Sequence, residues 1–448
     1  MNSKSIKSIA IIGGGYTGLT AAYELSKYSN FEITLYEASP NLGGLAGGFS
    51  LLGTHLEKAY HHLFKTDKDI IQLIDELRLG AKLLWHKSNV AIYYDGKFYP
   101  FNSPMDLLRF KPLSFLSRLR LGIVLLYLKK KKNWQKFVNV SAYDWMGKWC
   151  GREAMKVIWE PLLLGKFSKY YKEISMAWLW ARIHIRANSR ARDGEKLGYI
   201  TGGFDVLTEA LQSKLLKQGV IIKKETRVQS IKRDDKTNEV ILTFDNGEQR
   251  FDKVIVTLPS QVFAGLIGTA SVSASYIKKL SSINYLGAVL LVFASDQKLS
   301  DYYWHNINDL GAPFLVFLNH TNLVPCSNYN GKYLYYLGTY VPHEHEYFRI
   351  GENDLTDIWF RYLKQMFPEF DQKKITEKHL FKFKFAQHVA DLDYKNKIPD
   401  YRTPIAGVYL ANFSQIFPED RGTNYAVREG KKIAELLRSD LLGKSDLV

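Results

Sequence analysis

Three groups of residues in this chain have types and spacings suited to chemistry. The first is Gly13-Gly14-Gly15-Tyr16-Thr17-Gly18, set between an apolar run, Ser8 to Ile12, and the helical periodicity of Leu19 to Lys27. In such a strand, turn and helix, Gly13 permits the turn, Gly15 lets the main chain approach a pyrophosphate and Gly18 allows close helix–strand packing, with Thr17 in the opening helical turn. A second strand, Glu32 to Tyr36, ends at Glu37, nineteen residues beyond Gly18, where a carboxylate can bond an adenosine ribose. Strand, spacing and acid together predict a dinucleotide site, and a glycine turn without ligand is the plainer alternative.

The second group is His61-His62. Neighbouring residues of a strand point opposite ways, and no CxxC or HxxxH accompanies them, so no metal site is expected. His62 is the catalytic candidate, an acid/base role standing against simple packing. The third group is Trp178 and Arg182, four apart and therefore on one helical face. They read either as an aromatic and cationic wall of a substrate cavity or as a half-buried helix whose Arg182 pairs with a carboxylate such as Glu160. Tyr199, in Gly198 to Phe204, and His320, at the end of the strand Phe314 to Leu318, complete the substrate candidates; an asparagine-stabilised turn is the simpler account of the His320 loop.

The elements that position these residues come from a chain of 448 residues, enough for roughly three domains. With 46% hydrophobic and 24% charged residues, disorder and collagen-like architectures are excluded. Two cysteines, Cys150 and Cys326, give no disulfide framework, and a cytoplasmic setting is the expectation. Only Met1 to Lys7 precede the first apolar run, so no secretory signal is expected, and apolar stretches of eight and nine residues fall short of the about 20 needed to span a bilayer. The net charge of +16 raises nucleic acid, an anionic membrane or a phosphorylated substrate as partners. No nucleic-acid-binding pattern is present, so nucleic acid is set aside. Oligomeric state is not legible.

After Glu37 comes Ala38-Ser39-Pro40-Asn41-Leu42-Gly43-Gly44-Leu45-Ala46-Gly47-Gly48, a second glycine-rich loop with no role in a plain NAD-binding unit. This order resembles the flavoprotein superfamily of amine oxidases, protoporphyrinogen oxidase and phytoene desaturases, and the resemblance implies FAD, with Ala38, Gly44 and Leu45 along the cofactor. It also implies two later returns to the nucleotide domain. The first runs from Gly198 through a helix, Asp205 to Gln218, to Glu225-Thr226-Arg227-Val228, where the family holds adenine with a valine main chain, here Val228, and closes with the strand Asp252 to Pro259. The second is the strand Gly407 to Asn412 and a helix, Tyr425 to Leu437, which in the family points its amino terminus at the flavin and so implicates Asn424 and Tyr425. The usual Gly-Asp after that strand is replaced by Asn412-Phe413, leaving Asn412 or Asp420 for the ribityl contact. No cysteine lies there, so FAD is expected to be noncovalent. His62-Leu63-Phe64-Lys65-Thr66 further resembles a stretch of UDP-galactopyranose mutase in which a histidine contacts flavin.

These readings predict an α/β fold: a discontinuous Rossmann-like FAD-binding domain (1–87, 198–262 and 394–448), an antiparallel-sheet substrate domain (88–100 and 263–393) and a helical insertion (101–197). From Asp106 to Lys136 leucines alternate with Arg109, Lys111, Arg118, Arg120 and Lys129 to Lys132, the pattern of a basic amphipathic helix that could face an anionic membrane; solvated lysines on a domain helix are the bland alternative. The implied activity is an FAD-dependent oxidoreductase moving a hydride between flavin and an apolar or lipid-linked small molecule, cytoplasmic or peripheral on the cytoplasmic membrane face. A non-redox mutase acting on a nucleotide sugar is the second reading.

Overall fold

The computed structural model describes residues 6–189, 194–268 and 271–443. The predicted segments extend beyond these at 1–5, 190–193, 269–270 and 444–448, which lie outside the described residues. The strand Lys7–Ile12 is central to a five-stranded parallel sheet, paired with Phe31–Tyr36 on one side and Lys253–Val256 on the other. Ile221–Lys223 forms one edge and Val408–Leu410 the other, so both later returns meet the amino-terminal unit in one sheet. Burial on both faces explains why Ile9 to Ile12 is uninterruptedly apolar. The helix Tyr16–Leu25 packs on the last helix, Thr423–Leu441. They approach so closely at Gly430 that a Cβ there would lie 2.6 Å from the Thr17 carbonyl oxygen. A small antiparallel sheet, Ser230–Asp234, Glu239–Phe244 and Gly247–Phe251, adjoins this unit and has no counterpart in the sequence-based reading.

A seven-stranded sheet lies beyond it, in the order Ile375–His388, Tyr285–Ser295, Tyr333–Val341, Val316–Asn319, Trp304–Ile307, Val90–Tyr94 and Lys97–Pro100. The expected antiparallel arrangement holds except between Trp304–Ile307 and Val90–Tyr94, which run parallel where two distant chain segments join. Both faces are covered. Val289, Leu291 and Phe293 pack with Trp359 and Leu363 of the helix Glu352–Met366, while Leu290 and Val292 face the core shared with the nucleotide unit.

The helices Pro104–Arg109, Phe115–Lys130, Ala142–Cys150, Glu160–Phe167 and Met176–Ser189 gather around their own apolar cluster. Phe115–Lys130 differs from the amphipathic reading because it is apolar on both sides. Leu121, Val124 and Leu128 are buried, yet Leu116 is 77% and Ile123 69% exposed, with Phe115, Leu126 and Tyr127 also outward. Two of its basic residues are structural: Arg118 donates to the Leu113 carbonyl, and Arg120 donates to the Lys148 and Trp149 carbonyls that end Ala142–Cys150. Arg109, Lys111, Lys129, Lys130 and Lys132 remain exposed around the apolar stripe. No described helix is long and apolar enough to cross a membrane.

Candidate active site

The glycine loops close on each other. Gly13 has φ +108°, and a Cβ there would meet Thr257 Oγ1 at 2.4 Å. A Cβ on Gly18 would lie 1.9 Å from the Gly13 carbonyl oxygen, so the close helix–strand approach excludes any other residue. Gly43 N–H donates to the Gly14 carbonyl at 2.9 Å, and a Cβ on Gly44 would sit 3.1 Å from Gly15 Cα, which clasps the second loop to the first. Gly15 opens the helix Tyr16–Leu25 with no side-chain cap, leaving the positive helix end to an external anion. Glu37 accepts the Gly14 N–H at 2.7 Å and the Ser39 N–H at 2.8 Å, one on each oxygen. A carboxylate oxygen has two lone pairs, so each keeps capacity for a ribose hydroxyl. Ala38 is exposed beside it. The Val228 side chain is buried in the apolar cluster with Tyr36 and Ile231, as an ordinary core residue would be, so any adenine contact falls to its main chain. These features fit a dinucleotide cofactor.

Two adjoining cavities follow. The smaller, about 460 Å³, lies between Leu45, Ala59 and the seven-stranded sheet. The larger, about 1210 Å³ including its open mouth, shares Tyr60, His61, Tyr340 and Arg421 with it and reaches Gly422 to Tyr425. Gly422 begins the helix Thr423–Leu441 without a side-chain cap, a second uncapped amino terminus, here facing the cavity.

His62 lines the larger cavity and shares a 3.0 Å hydrogen bond with the Tyr303 hydroxyl. Burial, aided by Arg186, drives its pKa down to about 3, so it is a neutral imidazole throughout the physiological range. Asp67 lines the same cavity and accepts the Phe64 N–H at 2.8 Å. Burial lifts its carboxyl to about 7, against the lowering effect of that hydrogen bond. Among these two, the group positioned to exchange a proton near neutral pH is Asp67.

At the junction of the cavities lies a buried ionic cluster. Asp420 bonds Lys166 Nζ at 2.9 Å and Arg182 Nη1 at 3.0 Å, and accepts from Trp178 Nε1 at 3.3 Å and Gln387 Nε2 at 3.2 Å. Burial pushes this carboxyl up, but Lys166, Arg182 and Arg421 outweigh it and hold it well below the usual carboxylate range. Arg421 Nη2 donates to the Tyr340 hydroxyl at 2.8 Å, while its buried Nε has no partner. Burial likewise pushes the Tyr340 phenol up, and Arg421 and Lys166 overcome this and bring it below its ordinary value.

Several sequence-based assignments change. Arg182 lines the cavity, and its carboxylate partner is Asp420 rather than Glu160. Trp178 is fully buried behind it, stacked edge-on to Phe167, and supports Asp420 instead of forming a wall. Tyr199 and His320 face one another at 5.0 Å inside the core, Tyr199 donating to Glu57 and His320 bonded to Tyr329; neither lines these two cavities. Asn412 is saturated: its Nδ2 donates to the Leu258 carbonyl and Ser260 Oγ, and its Oδ1 accepts from Ser414 N and Oγ, so it has no capacity left for a ribityl chain. Asn424 lines the cavity but spends its Oδ1 on the Asp69 and Ile70 N–H groups, capping the helix Lys68–Glu76. Tyr425 is a cavity residue. Lys166, Tyr340, Arg421 and Asp67 were not singled out from sequence. A lone lysine in the apolar stretch Pro161 to Phe167, and the charge-dense Glu419-Asp420-Arg421 before a helix, were the available signals. Among the described residues no cluster of His, Cys, Asp or Glu could hold a metal ion.

Residues 16–437 match the family model described as flavin containing amine oxidoreductase. The chain belongs to this family. It is a flavin-dependent oxidoreductase by that membership, and its relatives include coproporphyrinogen III oxidase of Staphylococcus aureus, 25% identical over 65% of this chain and 68% of the relative. Among solved structures, a protein of Exiguobacterium sp. 255-15 provisionally named a protoporphyrinogen oxidase superposes with a TM-score of 0.77 at 18% identity, covering 97% of this chain and 99% of that one. Reduced UDP-galactopyranose mutase gives 0.75 at 16% identity, covering 97% and 96%. At these identities the two structures speak for the fold.

Proposed function

We propose that the chain is a noncovalent FAD enzyme that oxidises a small molecule of the porphyrinogen or lipid-linked kind. The observation that carries the reading is a pair of clasped glycine loops at one uncapped helix amino terminus, the second loop reaching a cavity at Leu45, with another uncapped terminus at Gly422 facing the adjoining cavity of substrate size. FAD, when bound, supplies the two-electron acceptor. Gly13, Gly15, Thr17 and Gly18 would hold its pyrophosphate, Glu37 its ribose, the Val228 main chain its adenine, and Gly44 and Leu45 the approach to the ring. With Asn412 saturated, the segment from Gly422 to Tyr425 would meet the ring end. His62, neutral and hydrogen-bonded, packs and orients; Asp67 holds the proton that a reacting carbon or nitrogen releases.

The exposed apolar stripe of Phe115–Lys130 and its basic rim support a peripheral position on an anionic membrane from the cytoplasmic side, the setting expected for an apolar substrate. Anaerobic titration of the holoenzyme with coproporphyrinogen III, protoporphyrinogen, isoprenoid and amine candidates tests the activity: bleaching of flavin absorbance by one class is expected, and no bleaching by any would overturn it. The mutase reading draws on the histidine segment Tyr60 to His62 lining a cationic cavity. It requires UDP-sugar binding to the reduced enzyme, and calorimetry showing none removes it.

A further inference from the structure

We infer that the junction of the two cavities is an anion subsite, built by Lys166, Arg182 and Arg421, that selects a substrate bearing a carboxylate or phosphate group and rejects amines. This rests on the oxidoreductase reading only for calling the ligand a substrate. The larger cavity is lined by Lys166, Arg182 and Arg421 against two carboxylates, Asp67 and Asp420. Asp420 is committed to Lys166 and Arg182, and Asp67 is held partly protonated by burial, so the wall carries net positive charge.

The charges are also poorly hydrated, which decides what they attract. Lys166 is 6% exposed, its ammonium 5.1 Å from the Tyr340 ring and 5.6 Å from Trp178. Arg421 has a buried Nε–H with no acceptor, and a buried donor left unmade is unfavourable until a ligand supplies an acceptor. Gln387 Oε1, on the residue that bonds Asp420, is an unpartnered acceptor and suits a hydroxyl of the same ligand rather than its anionic oxygens. An incoming carboxylate or phosphoryl oxygen satisfies the Arg421 donor and neutralises the excess charge. An ammonium would enter a field of its own sign and would leave the Arg421 donor unmet, at odds with the amine chemistry in the family's name. The glycine loop and its helix supply a separate cradle for the cofactor pyrophosphate, so the junction is not needed for that charge.

The test measures binding of propane-1,2,3-tricarboxylate and inorganic pyrophosphate to the flavin-loaded enzyme by flavin difference spectra and calorimetry, with putrescine as the amine arm. At least one anion is expected to bind saturably, the tighter arm telling carboxylate from phosphate, and putrescine is expected neither to bind nor to compete. Lys166→Met and Arg421→Met should each weaken the anion at least tenfold, and Arg421→Lys should recover part of the loss; melting curves and flavin content establish that each variant is folded and loaded. Absence of anion binding to the wild-type holoenzyme, equal binding by the variants, competition by putrescine, or binding confined to flavin-free protein would overturn the subsite. Flavin bleaching by substrates is read separately, so anion binding without bleaching would sink the oxidoreductase reading and leave the subsite standing.

Discussion

Replacing Gly430 by alanine probes the contact on which the nucleotide unit depends. A Cβ at 430 would sit 2.6 Å from the Thr17 carbonyl oxygen, 2.7 Å from Thr20 Cβ and 3.2 Å from Ala21 N. Ordinary carbon contacts are about 3.5–4.0 Å, so Thr423–Leu441 and Tyr16–Leu25 must separate by roughly 1 Å. Two of the three obstacles are main-chain atoms in a helix, which cannot swing aside. Overpacking of this sort costs about 1–3 kcal/mol, and the rigid neighbours argue for the upper part of that range. Alanine regains about 1 kcal/mol of helix propensity, leaving a net loss of about 1–2 kcal/mol. Gly147 in the helix Ala142–Cys150 gives the control: a Cβ there meets nothing within 4 Å, so Gly147→Ala should stabilise by about 0.5–1 kcal/mol. The displaced helix carries Thr17 and Gly18, so Gly430→Ala should also weaken FAD about tenfold, which corresponds to about 1.4 kcal/mol. Denaturant unfolding of the apo protein and a flavin-fluorescence titration measure both. Equal stability of the two variants with unchanged FAD affinity would show that the helix crossing is looser than the distances require.

Asp67→Asn should abolish an inflection near pH 7 in the rate of flavin reduction, while His62→Gln should leave that inflection in place because His62 titrates far lower; persistence of the inflection in Asp67→Asn would assign it elsewhere. Glu57, buried among Tyr199 and the Phe204 N–H, has its carboxyl lifted by burial from 4.5 to about 7. The native state therefore holds this proton more tightly, and its contribution, complete below pH 4.5, is lost as pH rises through 7. Relative to Glu57→Gln, the wild type should lose up to about 1.4 kcal/mol per pH unit across that window in urea unfolding, and parallel pH profiles would refute the assignment. Leu116→Glu with Ile123→Glu should abolish binding to phosphatidylserine vesicles in a sedimentation assay while leaving flavin content intact; retention on vesicles would remove the membrane reading.

The frame of the site was legible because glycine spacing and apolar runs are local signals. Gly13 takes the turn and Gly18 the close helix–strand contact that their spacing implied, and Val408–Leu410 and Lys253–Val256 enter the parallel sheet although more than 150 residues separate them. Cavity residues were less legible because their roles depend on partners far along the chain. Arg182 was visible, but its partner Asp420 lies 238 residues away and no periodicity links them. Tyr199 and His320 look like cleft residues by type, and only the three-dimensional meeting with Glu57 and Tyr329 shows that they serve a buried polar network. Asn412 stands where a cofactor contact is expected, yet its hydrogen bonds are consumed locally, a saturation that depends on Leu258 and Ser260 from another strand end.

The chain's excess positive charge occurs in two environments that respond differently to salt. Lys129, Lys130 and Lys132 are exposed around the apolar stripe, where the Debye length of about 10 Å at 0.1 M and about 3 Å at 1 M governs their reach toward a lipid surface. Lys166 and Arg421 are held against rings and Asp420 inside the cavity, where screening is weak. Helix Met176–Ser189 separates the two, since Trp180 Nε1 donates to the Lys131 carbonyl at 2.9 Å on one side and Trp178 and Arg182 bond Asp420 on the other. Raising potassium chloride from 0.05 to 0.5 M, roughly a threefold shortening of the Debye length, should therefore release the enzyme from anionic vesicles while changing tricarboxylate or pyrophosphate affinity by a much smaller factor. Equal loss of both would mean that the cavity cations are as hydrated as the surface lysines, and the selectivity argued from their burial would fail with them.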